Sequence, residues 1–193
     1  MCRRGGEIVD GLQLSLTTDR ETIAPADGVT LTTTIRNTTA KDINLCVGIS
    51  YSGVAFEAGS ALAATDVHGT ALPAHWTVGF CGTGAHGLNV TIPANSSIAY
   101  KMPLKLQGWP ERMQRDNRTN FILSPGQGHR MVAVPDDAGT IRVRMSYSVG
   151  EQGHREFGEL PGPAQPTNPA ARYWSGEIHS NELQLSVSRV KCG

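Results

Sequence analysis

Apolar and polar residues alternate with period two along most of this chain. Leu12, Leu14 and Leu16 are separated by Gln13 and Ser15; Val29, Leu31, Thr33 and Ile35 alternate with Thr30, Thr32, Thr34 and Arg36. Ile43, Leu45, Val47, Ile49 and Tyr51 form the next inward set, followed by Trp76, Val78 and Phe80, then by Leu88, Val90 and Ile92. Ile98, Tyr100, Met102, Leu104 and Leu106 repeat the pattern, as do Ile141, Val143, Met145, Tyr147 and Val149, and Leu183, Leu185 and Val187 close it. Such alternation marks strands that bury one face and wet the other. With Gly, Pro, Asn and Asp between the runs, the pattern predicts an all-β, antiparallel sandwich. Residues 1–193 are expected to form one domain, with core strands over about 11–51, 74–106, 128–149 and 180–190. Pro103 lies inside a run and has no amide hydrogen, so its strand should be an edge or bulged there.

Three stretches break the rhythm and read as long loops: Gly- and Ala-rich residues 52–72, charged residues 107–120, and residues 150–179 with Pro161, Pro163 and Pro166 among their prolines. Long loops on a rigid scaffold often carry function. Two of them hold Trp109, Arg112, Arg115, Arg118, Tyr173 and Trp174, residue types that dominate interface energetics. These six are the candidate binding residues. The competing reading of the tryptophans is that each plugs the end of the sandwich beneath its own loop.

Ala24-Pro25-Ala26-Asp27-Gly28-Val29-Thr30-Leu31 followed by Ile35-Arg36-Asn37-Thr38 resembles the first two strands of bacterial extracytoplasmic immunoglobulin-like (fibronectin-III-like) domains. The closing stretch from Tyr173 to Leu183 is similar to the approach to the last strand of such domains. Asp137-Ala138-Gly139-Thr140-Ile141-Arg142-Val143 resembles the turn before an immunoglobulin F strand, but Ile141 stands where the tyrosine would be and Val143 where the cysteine would be. Neither the tyrosine corner nor the usual inter-sheet disulfide is therefore carried over. The resemblance implies an immunoglobulin-like sandwich with long loop insertions.

Charge and composition narrow the partners. Acidic and basic residues number 17 each, which removes the electrostatic argument for nucleic acid. No run approaches the roughly 20 apolar residues of a membrane span, so no membrane insertion is expected. The first residues, Met1 to Gly6, carry Arg3 and Arg4 but no apolar stretch behind them and do not form a signal peptide. Scarce Lys and plentiful Thr, Ser, Gly and Pro nonetheless suit an extracytoplasmic or secreted chain, without its signal peptide in this sequence. Asn37, Asn89, Asn95 and Asn117 sit in glycosylation sequons, tripeptides that a Thr- and Ser-rich chain also makes by chance.

Four cysteines allow three full pairings. Cys46 and Cys81 both fall out of phase with their apolar neighbours, so both thiols should point outward, and a Cys46–Cys81 bridge between neighbouring strands is expected. The alternative is two half-buried thiols in a reducing compartment. Cys2 and Cys192 flank the first and last strands. They could pair with each other or link to other chains, but parallel first and last strands would put them toward opposite poles unless the first ten residues fold back.

Cys81-Gly-Thr-Gly-Ala-His86 admits three readings. A copper site would need a second His, for which His75 is available, and an axial Met where Val90 stands. A dinucleotide loop would need a helix behind Gly87, whereas Leu88, Val90 and Ile92 read as a strand. A Gly-rich β-turn is the favoured reading. His68, His129, His154 and His179 lack metal-ligand spacing. Of catalytic groupings, only an assembly across the fold such as Ser175, His179 and Asp136 can be drawn, and nothing favours it. The expectation is a non-enzymatic extracytoplasmic domain with no metal and no cofactor, binding a protein partner or serving a structural role, with self-assembly open. The alternatives are a loop-mediated protease inhibitor and a subunit of a surface filament or virion.

Overall fold

In a computed structural model the described residues are 5–24, 28–51, 54–56, 60–76, 86–108, 121–124, 130–135, 138–149 and 168–188. Among them the chain is all-β, with no helix and sixteen strands in three sheets. The first sheet holds β1 (Ile8–Val9), β2 (Leu12–Thr18), β4 (Val29–Asn37), β10 (Ser97–Gly108), β11 (Phe121–Ser124), β12 (Arg130–Val134) and β8 (Ala74–Trp76), in that spatial order. In the second, β13 (Thr140–Val149) is central. One of its edges pairs with β7 (Ser60–Thr65), the other with β15 (Gly176–His179) and β16 (Leu183–Val187), and β16 pairs in parallel with β3 (Thr22–Ile23). The third sheet is built on β5 (Ile43–Tyr51), which pairs with β9 (His86–Ile92), β6 (Val54–Phe56) and, in parallel, β14 (Arg172–Tyr173).

Alternation does what it predicts in the long strands. Leu12, Leu14, Leu16, Leu31, Ile35, Leu104, Leu106, Ile141, Val143, Met145, Leu183 and Leu185 are all buried in one cluster that draws on all three sheets. Pro103 sits at a locally unpaired edge, as its sequence requires. Thr30, opposite Pro103, exchanges both of its backbone bonds with Asp19, so the Pro103 nitrogen faces away from β4. On that far side β10 has no partner among the described residues until Lys105 meets Ser124. The Thr30 amide bond also holds the Asp19 carboxyl below its ordinary pKa.

Several expectations need correction. Residues 52–72 are not a loop throughout, because β6 and β7 lie there and β7 pairs with β13 over six residues. Alanine is a weak strand former, but Leu62 and Ala64 find the core and the long β13 supplies a complete ladder, so tertiary pairing overrides propensity. The range 107–120 begins inside β10, whose Gln107 and Gly108 pair with Ile122 and Phe121. The range 150–179 contains β14 and β15, and β1 and β11 add strands outside the expected core segments.

The two large sheets meet at the outer edge of β2. A two-residue turn, Asp10 (φ 45°) and Gly11 (φ 81°), folds β1 back onto β2 in the handedness that suits a hairpin. Below β1, Gly6 donates its amide to the Leu14 carbonyl at 2.8 Å. A Cβ on Gly6 would lie 1.9 Å from the His179 carbonyl oxygen, so only glycine fits between β2 and β15. Lower still, the Asn181 carboxamide takes the place of a strand. Its oxygen accepts from Leu16 N–H at 2.9 Å and its Nδ2 donates to the Leu16 carbonyl at 3.0 Å. Asn181 reaches this position because the chain breaks pairing between β15 and β16. There Ser180 Oγ, rather than a backbone carbonyl, accepts from Met145 N–H.

Among the described residues, Thr33 Oγ1 is a buried polar atom with no hydrogen-bond partner. Replacing Thr33 with Val keeps the shape and removes the desolvated hydroxyl, so we expect a gain of about 1 kcal/mol in unfolding free energy. Urea denaturation of the two proteins checks this; a loss of stability would show that the hydroxyl is satisfied in solution.

Candidate functional site

One pole of the fold gathers the β1–β2 turn, the Thr38–Asp42 connection after β4, the Pro93–Ser96 turn before β10, and residues 168–174. Each piece is fixed by side chains that stand in for strand partners. Asn37, buried at the end of β4, donates from Nδ2 toward the carbonyls of Lys41, Ile92 and Pro93, at 2.8, 3.0 and 3.2 Å. Its Oδ1 accepts from the Thr39 amide and hydroxyl. An amide so engaged cannot carry a glycan in the folded chain, so this sequon is a structural feature. Asn95 is exposed at positive φ (56°) in a turn closed by Ser96 N–H donating to the Pro93 carbonyl, and Asn117 lies outside the described residues.

A second network binds residues 168–174 to β5 and β9. Asn44, fully buried on β5, donates from Nδ2 to the carbonyls of Asn168 and Ala171, and its Oδ1 accepts from the Thr91 hydroxyl at 2.7 Å. Asn168 N–H donates to Thr91 Oγ1, and Asn168 Nδ2 donates to Asp42 Oδ2 at 3.0 Å. The Asn44 backbone carbonyl takes the Trp174 amide. Arg172 reaches across the pole to the Asp10 carboxylate and donates to the Asp10 carbonyl at 2.8 Å.

This anchoring gives Tyr173 and Trp174 opposite fates. Tyr173 is 42% exposed, whereas Trp174 is fully buried. The Trp174 ring lies 5.7 Å from that of Tyr147, and its Nε1 donates to the Val9 carbonyl at 3.4 Å. Trp174 is therefore a core residue, the plug beneath its own loop that was weighed against an exposed anchor: it follows the last residue of β14, and the core takes its indole. Trp109, Arg112, Arg115 and Arg118 lie outside the described residues. Arg172 was not singled out by the sequence, where only its place beside Tyr173 pointed to it.

The same packing corrects the reading of Cys46. Alternation placed its thiol on an outward face, yet Cys46 is 2% exposed, and Ile43, Asn44, Leu45 and Cys46 are buried in succession. Asn44, two residues earlier on β5, meets the carbonyls of Asn168 and Ala171, so this side of the strand is not a wet face at that position. Tyr147 donates its hydroxyl to the Cys46 backbone carbonyl, and burial pushes the phenol well above its ordinary pKa. The expected partner Cys81, with Cys2 and Cys192, lies outside the described residues, as do most of the 82–87 turn, His129, His154 and Asp136. His86 and Gly87 begin β9, a strand and not the helix a dinucleotide loop requires. His179 is half-exposed beside Glu177, at 3.5 Å. Among the described residues no group of three or more His, Cys, Asp or Glu gathers to hold a metal ion, and no helix is long and apolar enough to cross a membrane.

No family model matches this chain, and no curated protein matches it.

Trp174→Ala should destabilise the fold by about 3–5 kcal/mol, the cost of emptying a large buried site. Tyr173→Ala should change stability by under about 0.5 kcal/mol, as a surface substitution does. Urea titrations of both variants check the contrast.

The raised pKa of Tyr147 fixes a sign. Folding favours the neutral phenol, so its contribution is complete below the unfolded value near 10 and is lost as pH climbs beyond it. Stability should fall between pH 10 and 11 at up to about 1.4 kcal/mol per pH unit. Tyr147→Phe should remove that part of the slope while costing about 1 kcal/mol at neutral pH. Denaturation curves at pH 8, 10 and 11 measure both quantities.

Proposed function

We propose that this chain is a non-enzymatic, extracytoplasmic immunoglobulin-like domain that binds a protein partner through the pole carrying Arg172 and Tyr173. The sandwich reading rests on strand order. β2–β4–β10 matches the A–B–E order of an immunoglobulin sheet and β7–β13–β16 the C–F–G order, with β13 following the Ala138-Gly139 turn. The extracytoplasmic reading rests on the resemblance of residues 24–38 to exported domains and on composition.

The observation that carries the binding reading is the display of Tyr173. Its neighbours Asn44, Asn168, Arg172 and Trp174 fix the backbone through their polar atoms, and Tyr173 itself is 42% exposed. A rigid backbone presenting an aromatic side chain loses little freedom on binding, which is what an interface anchor needs. The arginines of 109–120 and Trp109 are assigned to the same kind of contact.

The test is affinity capture from the extracellular fraction of the native source, using the full chain and its Tyr173→Ala variant. A protein retained by the native chain should bind the variant at least about 30-fold more weakly, the effect of losing a hot-spot residue. Equal retention by both would remove Tyr173 from the interface.

A further inference from the structure

The sequons at Asn37, Asn89 and Asn95 fall among the described residues, and the fold treats them differently. A glycan is bulky and belongs on the surface, so a folded chain can carry one only where the asparagine amide is not spent on internal bonds and faces solvent. Asn37 meets neither condition: it is fully buried and its Nδ2 faces three backbone carbonyls. Asn89-Val90-Thr91 lies inside β9, with Asn89 opposite Cys46 of β5. The hydroxyl of that sequon is engaged twice, since Thr91 Oγ1 donates to Asn44 Oδ1 at 2.7 Å and accepts from Asn168 N–H at 2.9 Å.

Asn95-Ser96-Ser97 is built otherwise. The turn that joins β9 to β10 is fastened through its backbone. Ala94 N–H donates to Asp42 Oδ1 at 3.1 Å, Asn95 N–H to the Thr39 carbonyl at 3.0 Å, and Ser96 N–H to the Pro93 carbonyl at 3.1 Å. None of these bonds uses the Asn95 carboxamide. Asn95 takes the third position of the turn at φ 56°, a left-handed conformation that asparagine adopts more readily than most residues with a Cβ. It is exposed there, and so is Ser97, which supplies the hydroxyl of the sequon and opens β10. The amide and the hydroxyl that a transferase must reach together thus stand on exposed residues, on a backbone held by other groups.

We propose that Asn95 is an N-glycan acceptor, the donor being an oligosaccharide carried on a polyprenyl pyrophosphate. Asn95 Nδ2 bonds to the anomeric carbon and gives up one proton. The bond from that carbon to the pyrophosphate oxygen breaks, and polyprenyl pyrophosphate leaves with the electron pair. The glycan borders the pole that carries Tyr173 on the side of Asp42, whose other carboxylate oxygen holds Asn168. This assignment rests on the extracytoplasmic part of the functional reading, because the sequon is used in secreted chains.

The test is expression of the full chain in mammalian cells behind a cleavable secretory leader, so that entry to the secretory pathway does not depend on what the native source does. Folded chain, verified by cooperative urea unfolding, is recovered from the medium and from the secretory compartment and digested. Its peptides are treated with an N-glycosidase in heavy-oxygen water, which turns each glycan-bearing asparagine into labelled aspartate, against an enzyme-free control. Label is expected at Asn95 and not at Asn37. Ser97→Ala, which keeps the asparagine and its turn, should abolish the label, and Ser97→Thr should retain it. An unlabelled Asn95 in the folded chain would overturn the proposal, as would label at Asn95 that survives Ser97→Ala, or label at Asn37 in folded chain. Labelled Asn95 here together with absence of the chain from the extracellular fraction of its native source would sink the export reading and leave Asn95 as the acceptor.

Discussion

An edge strand presents backbone donors and acceptors that must be satisfied, and in this fold the edge that matters is that of β2. Its hydrogen bonds are completed in succession by β1, by Gly6 and by the side chain of Asn181. The last of these comes from the segment joining two strands of the other sheet. One continuous ladder therefore seals the first sheet and fastens the second to it. Burial of Leu12, Leu14 and Leu16 follows from that closure, since an unsealed β2 would admit water to the side of the core they occupy.

The Tyr173 pole inherits its order from the same seam. Trp174 enters the core beside Tyr147 and hydrogen bonds to β1, while Arg172 grips the turn that starts β2. Residues 168–171 are in turn held by Asn44 and Asp42 through bonds that leave few polar atoms unpaired. A polar network of this kind specifies one arrangement of backbone, because each displaced member strands a buried partner.

Much of this was legible in residue order. The inward sets of β2, β4, β10, β13 and β16 could be read directly, because each strand has one covered face and the period reports it. Gly28 and Asn37, which carried the family resemblance, have local physical roles: a Cβ on Gly28 would lie 2.8 Å from the Leu104 carbonyl oxygen, and Asn37 ties two loops together. The failures share a cause. Cys46 receives the Tyr147 hydroxyl on its carbonyl and Trp174 reaches Val9, each across more than a hundred residues of sequence, and β7 is recruited by β13 despite its alanines. Period and propensity describe a strand's own residues; they carry no information about a distant segment laid against its second face. The candidate site was legible only in that Tyr173 and Trp174 were singled out as a pair, with the tryptophan already weighed as a plug beneath its loop.

The hairpin turn at Asp10-Gly11 also decides how this chain could stand on something else. Had the chain entered β2 directly, sequence upstream of Leu12 would emerge beside Tyr173 and crowd it. With the turn in place, Gly6 lies beside Leu14, four strand steps or roughly 13 Å from Asp10. The Asp10-Gly11 hairpin thus works as a spacer that keeps the face around Tyr173 open to an incoming surface.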